Sequence, residues 1–160
     1  MSEQINQTSL HGRISAAYFL LFTAKGFVYP FLPLFLYKYA GLSKTQIGGF
    51  ALLQQLMTSC TSPVLGHLAD VYKAHGRILL AGIVASAVAL VALLPAARVH
   101  SEAFRYICLL FVNAVAFGVS GWTPVLDSFS LYALGSIDNY GRARLWGAVG
   151  FGVGSLLGGV

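Results

Sequence analysis

The sequence predicts an all-α membrane protein, and three observations point to this class. The chain has 160 residues, of which 57% are hydrophobic and 9% are charged, whereas a soluble domain carries about 25% charged residues. Its mean hydropathy is +0.74. The apolar residues come in runs of roughly 20, the length that a helix needs to cross a bilayer. The formal charge of +5 comes from singly scattered lysines and arginines, so a nucleic-acid partner is not indicated.

Five apolar runs follow one another, separated by short connections rich in glycine, polar and charged residues. We predict four complete transmembrane helices and part of a fifth, because the last run reaches Val160 without a flanking charge or an interfacial aromatic residue. The chain is therefore expected to be a fragment of a longer protein. The predicted helices cover residues 14–37, 45–69, 78–97, 104–134 and 142–160.

Three further features of the sequence concern its termini and cysteines. Arg13 and the apolar segment after it have the charge and length of a signal peptide, but no small-residue cleavage site follows, which favours a retained first helix. If successive connections alternate between the two sides of the membrane, one side carries five lysines and arginines and the other carries four. This difference is too small to decide which side of the membrane the N-terminus occupies. Cys60 and Cys108 lie inside apolar runs, a position typical of buried small hydrophobic residues and not of a disulfide or metal site.

Lys25 lies at the centre of the first predicted helix, where a lysine costs at least ~2.5 kcal/mol on insertion scales. A side chain at this depth reaches neither interface, so Lys25 is expected to face the protein interior or a water-filled path. Helical spacing places Tyr18, Phe22 and Tyr29 near the same face. Two interpretations of Lys25 remain open: it has a function in the pathway, or it is paired with an acid and serves packing alone.

The other helices differ in their polar content. Pro30 and Pro33 each remove a backbone donor from the first helix, so we expect that helix to bend. The polar side chains of the second helix either form hydrogen bonds between helices or line a cavity, and the almost wholly apolar third helix is expected to be peripheral. In the fourth helix, Asn113 is a candidate pathway residue, and Asp127 lies within the bundle if the helix continues to about Leu134.

Two arginines, Arg142 and Arg144, precede the last apolar run. If the fourth and fifth helices form a hairpin near Ile137, Asp127 and Arg144 differ in depth by about 5 Å at 1.5 Å per residue, so the two side chains can pair. Anchoring at the headgroups is the alternative and suits Arg142 better. Three glycines spaced four residues apart predict a surface that packs closely on another backbone: Gly150, Gly154 and Gly158.

The connection GHLADVYKAHGR, between the second and third helices, resembles the signature loop of the major facilitator superfamily. Val71 stands where a basic residue is usual, and Gly76 and Arg77 come three residues late. The segment PFLPLFLYKYAGLSKTQIG is similar to the end of helix one and the start of helix two in the same superfamily. The segment YGRARLWGAVGFGVGS is similar to lactose-permease-like proton symporters and to the major facilitator superfamily-associated group. The resemblance implies the incomplete N-terminal half of a twelve-helix fold. The matching loop residues are Gly66, Leu68, Ala69 and Asp70.

This resemblance also implies an orientation and a site. The N-terminus would be cytoplasmic, and the first and fourth helices, which carry Lys25 and Asp127, would line the central cavity. In similar proteins an arginine binds sugar hydroxyls and pairs with an acid, roles that would fall to Arg144 and Asp127. Phe151 stands where an aromatic ring, usually tryptophan, stacks on the sugar, and Asp127 is one methylene shorter than the usual glutamate. Lys25 has no counterpart there and favours an anionic or zwitterionic solute. The predicted pathway residues are Lys25, Asn113, Asp127, Arg144 and Phe151, and the predicted cytoplasmic gate residues are Gly66, Asp70, Gly76 and Arg77.

The predicted function is secondary active transport of a small organic solute by proton symport in the full-length protein. A receptor or scaffold on the same fold and an inactive fragment are the alternatives, and solute flux separates them. The sequence shows no catalytic nucleophile, metal cluster or nucleotide loop, so neither an enzyme nor a cofactor is expected. The expected partners are the solute, protons, the lipid bilayer and the missing C-terminal half.

Overall fold

The computed structural model describes residues 2–118 and 121–159. These residues form seven α-helices and no strand, which confirms the predicted all-α class. The chain divides into two compact units, unit 1 (Met1–Leu34 with Ser128–Val160) and unit 2 (Phe35–Asp127). The helices are α1 (Ser2–Val28), α2 (Leu32–Lys38), α3 (Lys44–Tyr72), α4 (His75–Ala96), α5 (Glu102–Gly118), α6 (Thr123–Leu134) and α7 (Ile137–Gly158).

In unit 1, α7 packs along α1. At one end of the pair, His11 Nε2 lies 3.2 Å from the carbonyl oxygen of Asn139. Further along the pair, Gly154 of α7 lies against the backbone of Thr23 of α1. The contacts advance in the same direction along both helices, so α1 and α7 run parallel.

In unit 2, α5 packs against both α3 and α4. The rings of Phe50 on α3 and Tyr106 on α5 lie 5.8 Å apart between centroids. The start of α3 is fixed by a capping box, in which Ser43 accepts a hydrogen bond from the backbone of Gln46 and the Gln46 side chain accepts one from Ser43.

The first predicted span, residues 14–37, is interrupted, because α1 ends at Val28 and α2 begins at Leu32. Pro30 has no N–H group, so the helical partner of the Gly26 carbonyl is missing. Ser155 of α7 donates a hydrogen bond from Oγ to this carbonyl at 3.4 Å. The expected bend is therefore a break, and a hydroxyl group on a neighbouring helix satisfies the carbonyl that the break exposes.

The fourth predicted span, residues 104–134, is also divided, because α5 ends at Gly118 and α6 begins at Thr123. The last carbonyl groups of a helix lack partners within that helix. One of them, the carbonyl of Phe117, accepts a hydrogen bond from the hydroxyl of Thr58 on α3 at 3.4 Å. Helical structure resumes in α6 and reaches Leu134, but two helices, α5 and α6, stand where the sequence predicts one continuous helix.

Two residues, Gly135 and Ser136, connect α6 to α7. Gly135 has a φ of +65°, a left-handed conformation that glycine adopts without steric cost. The side chain of Ser136 then accepts a hydrogen bond from the backbone N–H of Asn139 and caps α7. As a result, α7 begins at Ile137 rather than near residue 142, which adds a polar turn before Arg144.

Three helical stretches within the described part of the chain are long and apolar enough to cross a membrane: Ser9–Lys38, His75–Ala96 and Glu102–Leu134. They support an integral membrane protein. Helices α3 and α7, with 29 and 22 residues, are about 43 and 33 Å long at 1.5 Å per residue, enough for a bilayer core of ~30 Å. Their sequences are less apolar, so the second and fifth spans remain predictions.

Candidate functional site

The predicted site residues of unit 1 are held in place by close packing between α1 and α7. A Cβ atom added to Gly150 would collide with the carbonyl oxygen of Phe19, and one added to Gly154 would collide with the carbonyl oxygen of Thr23. Glycine is therefore required at both positions for the two backbones to approach this closely. This confirms the packing surface that the glycine spacing predicts, and it fixes the register of α7 against α1.

A groove of about 660 Å³ opens beside this interface. Two of the predicted pathway residues, Arg144 and Phe151, line it together. Phe22 contributes from α1, and the first turns of α7 supply most of the remaining wall. We name this feature the α1–α7 groove; its lining residues are Phe22, Ile137, Tyr140, Gly141, Arg144, Leu145, Ala148 and Phe151.

Arg144 is exposed at the groove, and its guanidinium carbon lies 5.9 Å from the centre of the Tyr140 ring. The two residues are four apart on α7, so their side chains share a face. A cation at this distance from an aromatic ring is attracted by the negative face of the ring. Arg142, two residues earlier, is exposed but does not line the groove, because Ala143 between them is fully buried against the protein.

Lys25 lies in the last turn of α1, near the middle of the candidate span Ser9–Lys38. Its Nζ atom is 5.4 Å from the Phe22 ring centre and 5.8 Å from the Tyr29 ring centre. The predicted proximity of these two rings is confirmed, and Tyr18 is fully buried, with its ring 6.0 Å from that of Phe22. Because α1 ends at Val28, Lys25 lies in the last turn of the helix, where the partial negative charge of the helix end favours a cation.

Asn113 is fully buried in unit 2. Its Oδ1 atom accepts a hydrogen bond of 2.9 Å from Nε2 of Gln54 on α3, and its Nδ2 atom has no partner among the described residues. Gln54 and Thr58 therefore join α3 to α5, as interhelical hydrogen bonds do. The sequence left two roles open for the polar residues of the second helix, and hydrogen bonding between helices is the one observed for Gln54 and Thr58. The pathway role of Asn113 stays a prediction.

Asp127 lies inside α6 and is half-buried. It belongs to unit 2, whereas Arg144 belongs to unit 1. Its pairing with Arg144 therefore stays a prediction.

Asp70 lies near the end of α3, in the loop that resembles the family signature, and it is 73% exposed at its side chain. His75 Nε2, at the start of α4, lies 3.0 Å from the Asp70 carboxylate. Among the described residues, no atom lies within 4 Å of a Cβ added to Gly66 or Gly76, and Arg77 is exposed. The contact between Asp70 and His75 was not predicted from the sequence. The two residues are five positions apart and lie on different helices, so the spacing of neighbours within a helix does not indicate it.

Cys60 is exposed and Cys108 is half-buried, and both are free thiols. The predicted burial is therefore wrong for Cys60. The residues of a continuous apolar run occupy every face of the helix, so some of them, such as Cys60, face outward from the protein. The described residues contain no group of three or more histidine, cysteine, aspartate or glutamate side chains that could hold a metal ion.

Comparison with known proteins places the chain in a family. The MFS_1 like family matches residues 11–160. A maltose permease of Geobacillus stearothermophilus is 33% identical over 135 residues, which is 84% of this chain and 33% of that protein. The uncharacterized transporter YwbF of Bacillus subtilis (strain 168) is 28% identical over 144 residues, which is 89% of this chain and 35% of that protein.

The chain thus spans about a third of the length of both relatives, and no solved structure matches it. The family match covers nearly all of the sequence, including both broken spans, the signature-like loop and the α1–α7 groove. The chain therefore belongs to the MFS_1 like family, as its resemblance to the major facilitator superfamily predicts.

Proposed function

We propose that this chain is the N-terminal part of a secondary transporter, which moves a small organic solute across a membrane together with protons. The observation that carries the proposal is the α1–α7 groove, where Arg144 and Phe151 meet beside a helix that is apolar enough to span a bilayer. The names of the two relatives, a permease and a transporter, favour the same activity.

In this proposal Arg144 holds the solute. Its planar guanidinium presents five donors, which suit a carboxylate or a pair of hydroxyl groups. The rings of Phe22, Tyr140 and Phe151 surround the same groove and pack on the apolar part of the solute.

Proton coupling is assigned to Asp127. An acid within a membrane-spanning helix is costly when charged and is therefore retained for function. We propose that Asp127 and Arg144 pair when the acid is ionised and that protonation of Asp127 frees Arg144 for the solute. This exchange links proton entry to solute binding.

The N-terminus is proposed to be cytoplasmic, which puts the α3–α4 connection on the cytoplasmic side. An acid at the C-terminal end of a helix opposes the dipole of that helix. Asp70 is exposed and is proposed to contact the positive N-terminus of a helix in the C-terminal half. Together with Gly66, Gly76 and Arg77 it would form a gate that closes when the transporter opens outward.

The proposal is tested by solute flux. Purified full-length protein is reconstituted in liposomes, an inward proton gradient is imposed, and pooled radiolabelled sugars, amino acids and organic acids are supplied outside. We expect accumulation of at least one solute, abolished by a protonophore and absent from protein-free liposomes. Accumulation that persists without the gradient would refute proton coupling, and no accumulation of any pooled solute would favour a receptor or scaffold.

A further inference from the structure

We infer that the α1–α7 groove binds an amphipathic organic anion, in which a carboxylate or sulfonate is joined to an apolar ring or chain. The inference rests on the proposed transport function and names the chemical class of its solute. Three properties of unit 1 lead to it: the few polar groups that line the groove, the charges around it and its dimensions.

The lining of the groove is poor in hydrogen-bonding side chains. Arg144 and Tyr140 carry polar groups, and the other six lining residues are hydrocarbon side chains or glycine. A sugar carries several hydroxyl groups, each a donor and an acceptor, and those that face the lining lose water without gaining partners, which is unfavourable. An organic anion needs partners at one end only, and Arg144 supplies several donors there. The lining therefore favours the anion over a neutral sugar.

The charges of unit 1 favour an anion as well. Its described side chains include Arg13, Lys25, Arg142 and Arg144, against a single carboxylate, Asp138. None of the residues that line the groove is acidic. The groove begins at Ile137, the first residue of α7, where the helix end carries partial positive charge, and it extends along the helix to Phe151.

Phe22 connects the second cation to the groove. Its ring lines the groove and also lies 5.4 Å from Lys25 Nζ. An ammonium group one ring away adds positive potential at the bound solute, because the apolar surroundings weaken the screening of charge. Arg144 is thus the residue that contacts the anion, and Lys25 acts through the Phe22 ring as a positioning residue.

The dimensions fit this class of solute. A volume of about 660 Å³ lies within the range of roughly 300–1,000 Å³ found for small-molecule sites. Three aromatic rings, those of Phe22, Tyr140 and Phe151, supply the apolar surface for its ring or chain.

The test compares two probes of nearly equal shape. 4-Phenylbutyrate and its neutral amide, 4-phenylbutyramide, are titrated into purified full-length protein by calorimetry, with maltose as a third probe. We expect the carboxylate to bind roughly tenfold more tightly than the amide, since hydrogen bonds to charged groups are the stronger kind. Absence of carboxylate binding, equal affinities for the two probes, or binding of maltose alone would overturn the inference.

The variants are matched in charge. Arg144→Gln is expected to remove the preference for the carboxylate, whereas Arg142→Gln, the same change outside the groove, is expected to keep it. Lys25→Gln is expected to weaken carboxylate binding roughly threefold and leave amide binding unchanged, as an electrostatic contribution requires. Each variant is first checked for a single symmetric peak in size-exclusion chromatography. A preference retained in Arg144→Gln, or lost equally in Arg142→Gln, would contradict the assignment of Arg144.

A lipid headgroup is also an anion attached to an apolar body. The titration is therefore repeated in nanodiscs of phosphatidylcholine, with and without phosphatidylglycerol. We expect 4-phenylbutyrate to bind with equal affinity in the two kinds of nanodisc. If its affinity is lower by tenfold or more in the nanodiscs that contain phosphatidylglycerol, the groove binds lipid and the inference is overturned. Accumulation of a neutral sugar without carboxylate binding would refute the inference about the solute and leave the proposed transport function standing. Carboxylate binding without any solute flux would refute the transport function and leave the inference about the solute standing.

Discussion

Gly154→Ala tests the close packing of α1 on α7. The new methyl group would collide with the carbonyl oxygen of Thr23 and would contact the backbone around it. Backbone atoms cannot move aside as a flexible side chain can, so the two helices must separate. Separation also lengthens the hydrogen bond from Ser155 to the carbonyl of Gly26, which is 3.4 Å long in the native packing.

The size of the effect follows from these contacts. Overpacking of a well-packed interface costs about 1–3 kcal/mol, and loss of one hydrogen bond adds about 0.5–1.5 kcal/mol. Against this, alanine stabilises a helix by about 1 kcal/mol relative to glycine. We therefore expect a net destabilisation of about 0.5–3.5 kcal/mol by these three contributions.

Gly152→Ala is the matched control, because it makes the same change two residues earlier on the same helix. An added Cβ at Gly152 has no atom within 4 Å, so only the gain in helix propensity applies there. Thermal unfolding of the full-length protein in detergent is followed by the loss of the monodisperse peak in size-exclusion chromatography. Gly154→Ala should unfold at a lower temperature than wild type, and Gly152→Ala at an equal or higher temperature. Equal unfolding temperatures for the two variants would refute the close-packing argument.

Three other predictions concern the charged and polar residues. Arg144→Lys should abolish transport while leaving membrane insertion intact, because lysine lacks the planar fork, and Arg142→Lys should transport nearly as wild type; equal rates in liposomes would contradict this assignment. Asp70→Asn should change the labelling of cysteines introduced at the two membrane faces, because it removes the proposed gate charge, and unchanged labelling at both faces would argue against a gate. Gln54→Leu should lower stability by about 1–3 kcal/mol, since it leaves the buried Asn113 oxygen without a donor, and adding Asn113→Leu should restore most of it; a double variant that melts below Gln54→Leu would exclude this explanation.

The helical class and the packing surface of α7 could be predicted from the sequence because both depend on local periodicity. Apolar runs of ~20 residues require helices in a bilayer, and glycines spaced four apart share one helix face. The spacing also placed Phe22 and Tyr29 beside Lys25, as observed. Each of these features is determined by residues within a few turns of one another.

Partners that come from a distant helix could not be predicted in this way. Pro30 shows that the carbonyl of Gly26 loses its helical partner, but nothing near Pro30 indicates that Ser155 replaces it. The same holds for Thr58 and the carbonyl of Phe117. The groove itself depends on how α1 meets α7, although two of its residues, Arg144 and Phe151, were selected from the sequence.

The two interrupted spans have a mechanical consequence. In each, a carbonyl near the break accepts a hydrogen bond from a hydroxyl group on a neighbouring helix at 3.4 Å, near the long end of hydrogen-bond distances. Such a joint stiffens its span less than a continuous ladder of backbone hydrogen bonds would, and it keeps a bare carbonyl away from the lipid. Because the hydroxyl groups belong to Ser155 on α7 and Thr58 on α3, a residue outside each broken span contributes to the resistance of that span to bending. Removing either hydroxyl should therefore alter how readily the span flexes while leaving every atom of its own sequence unchanged.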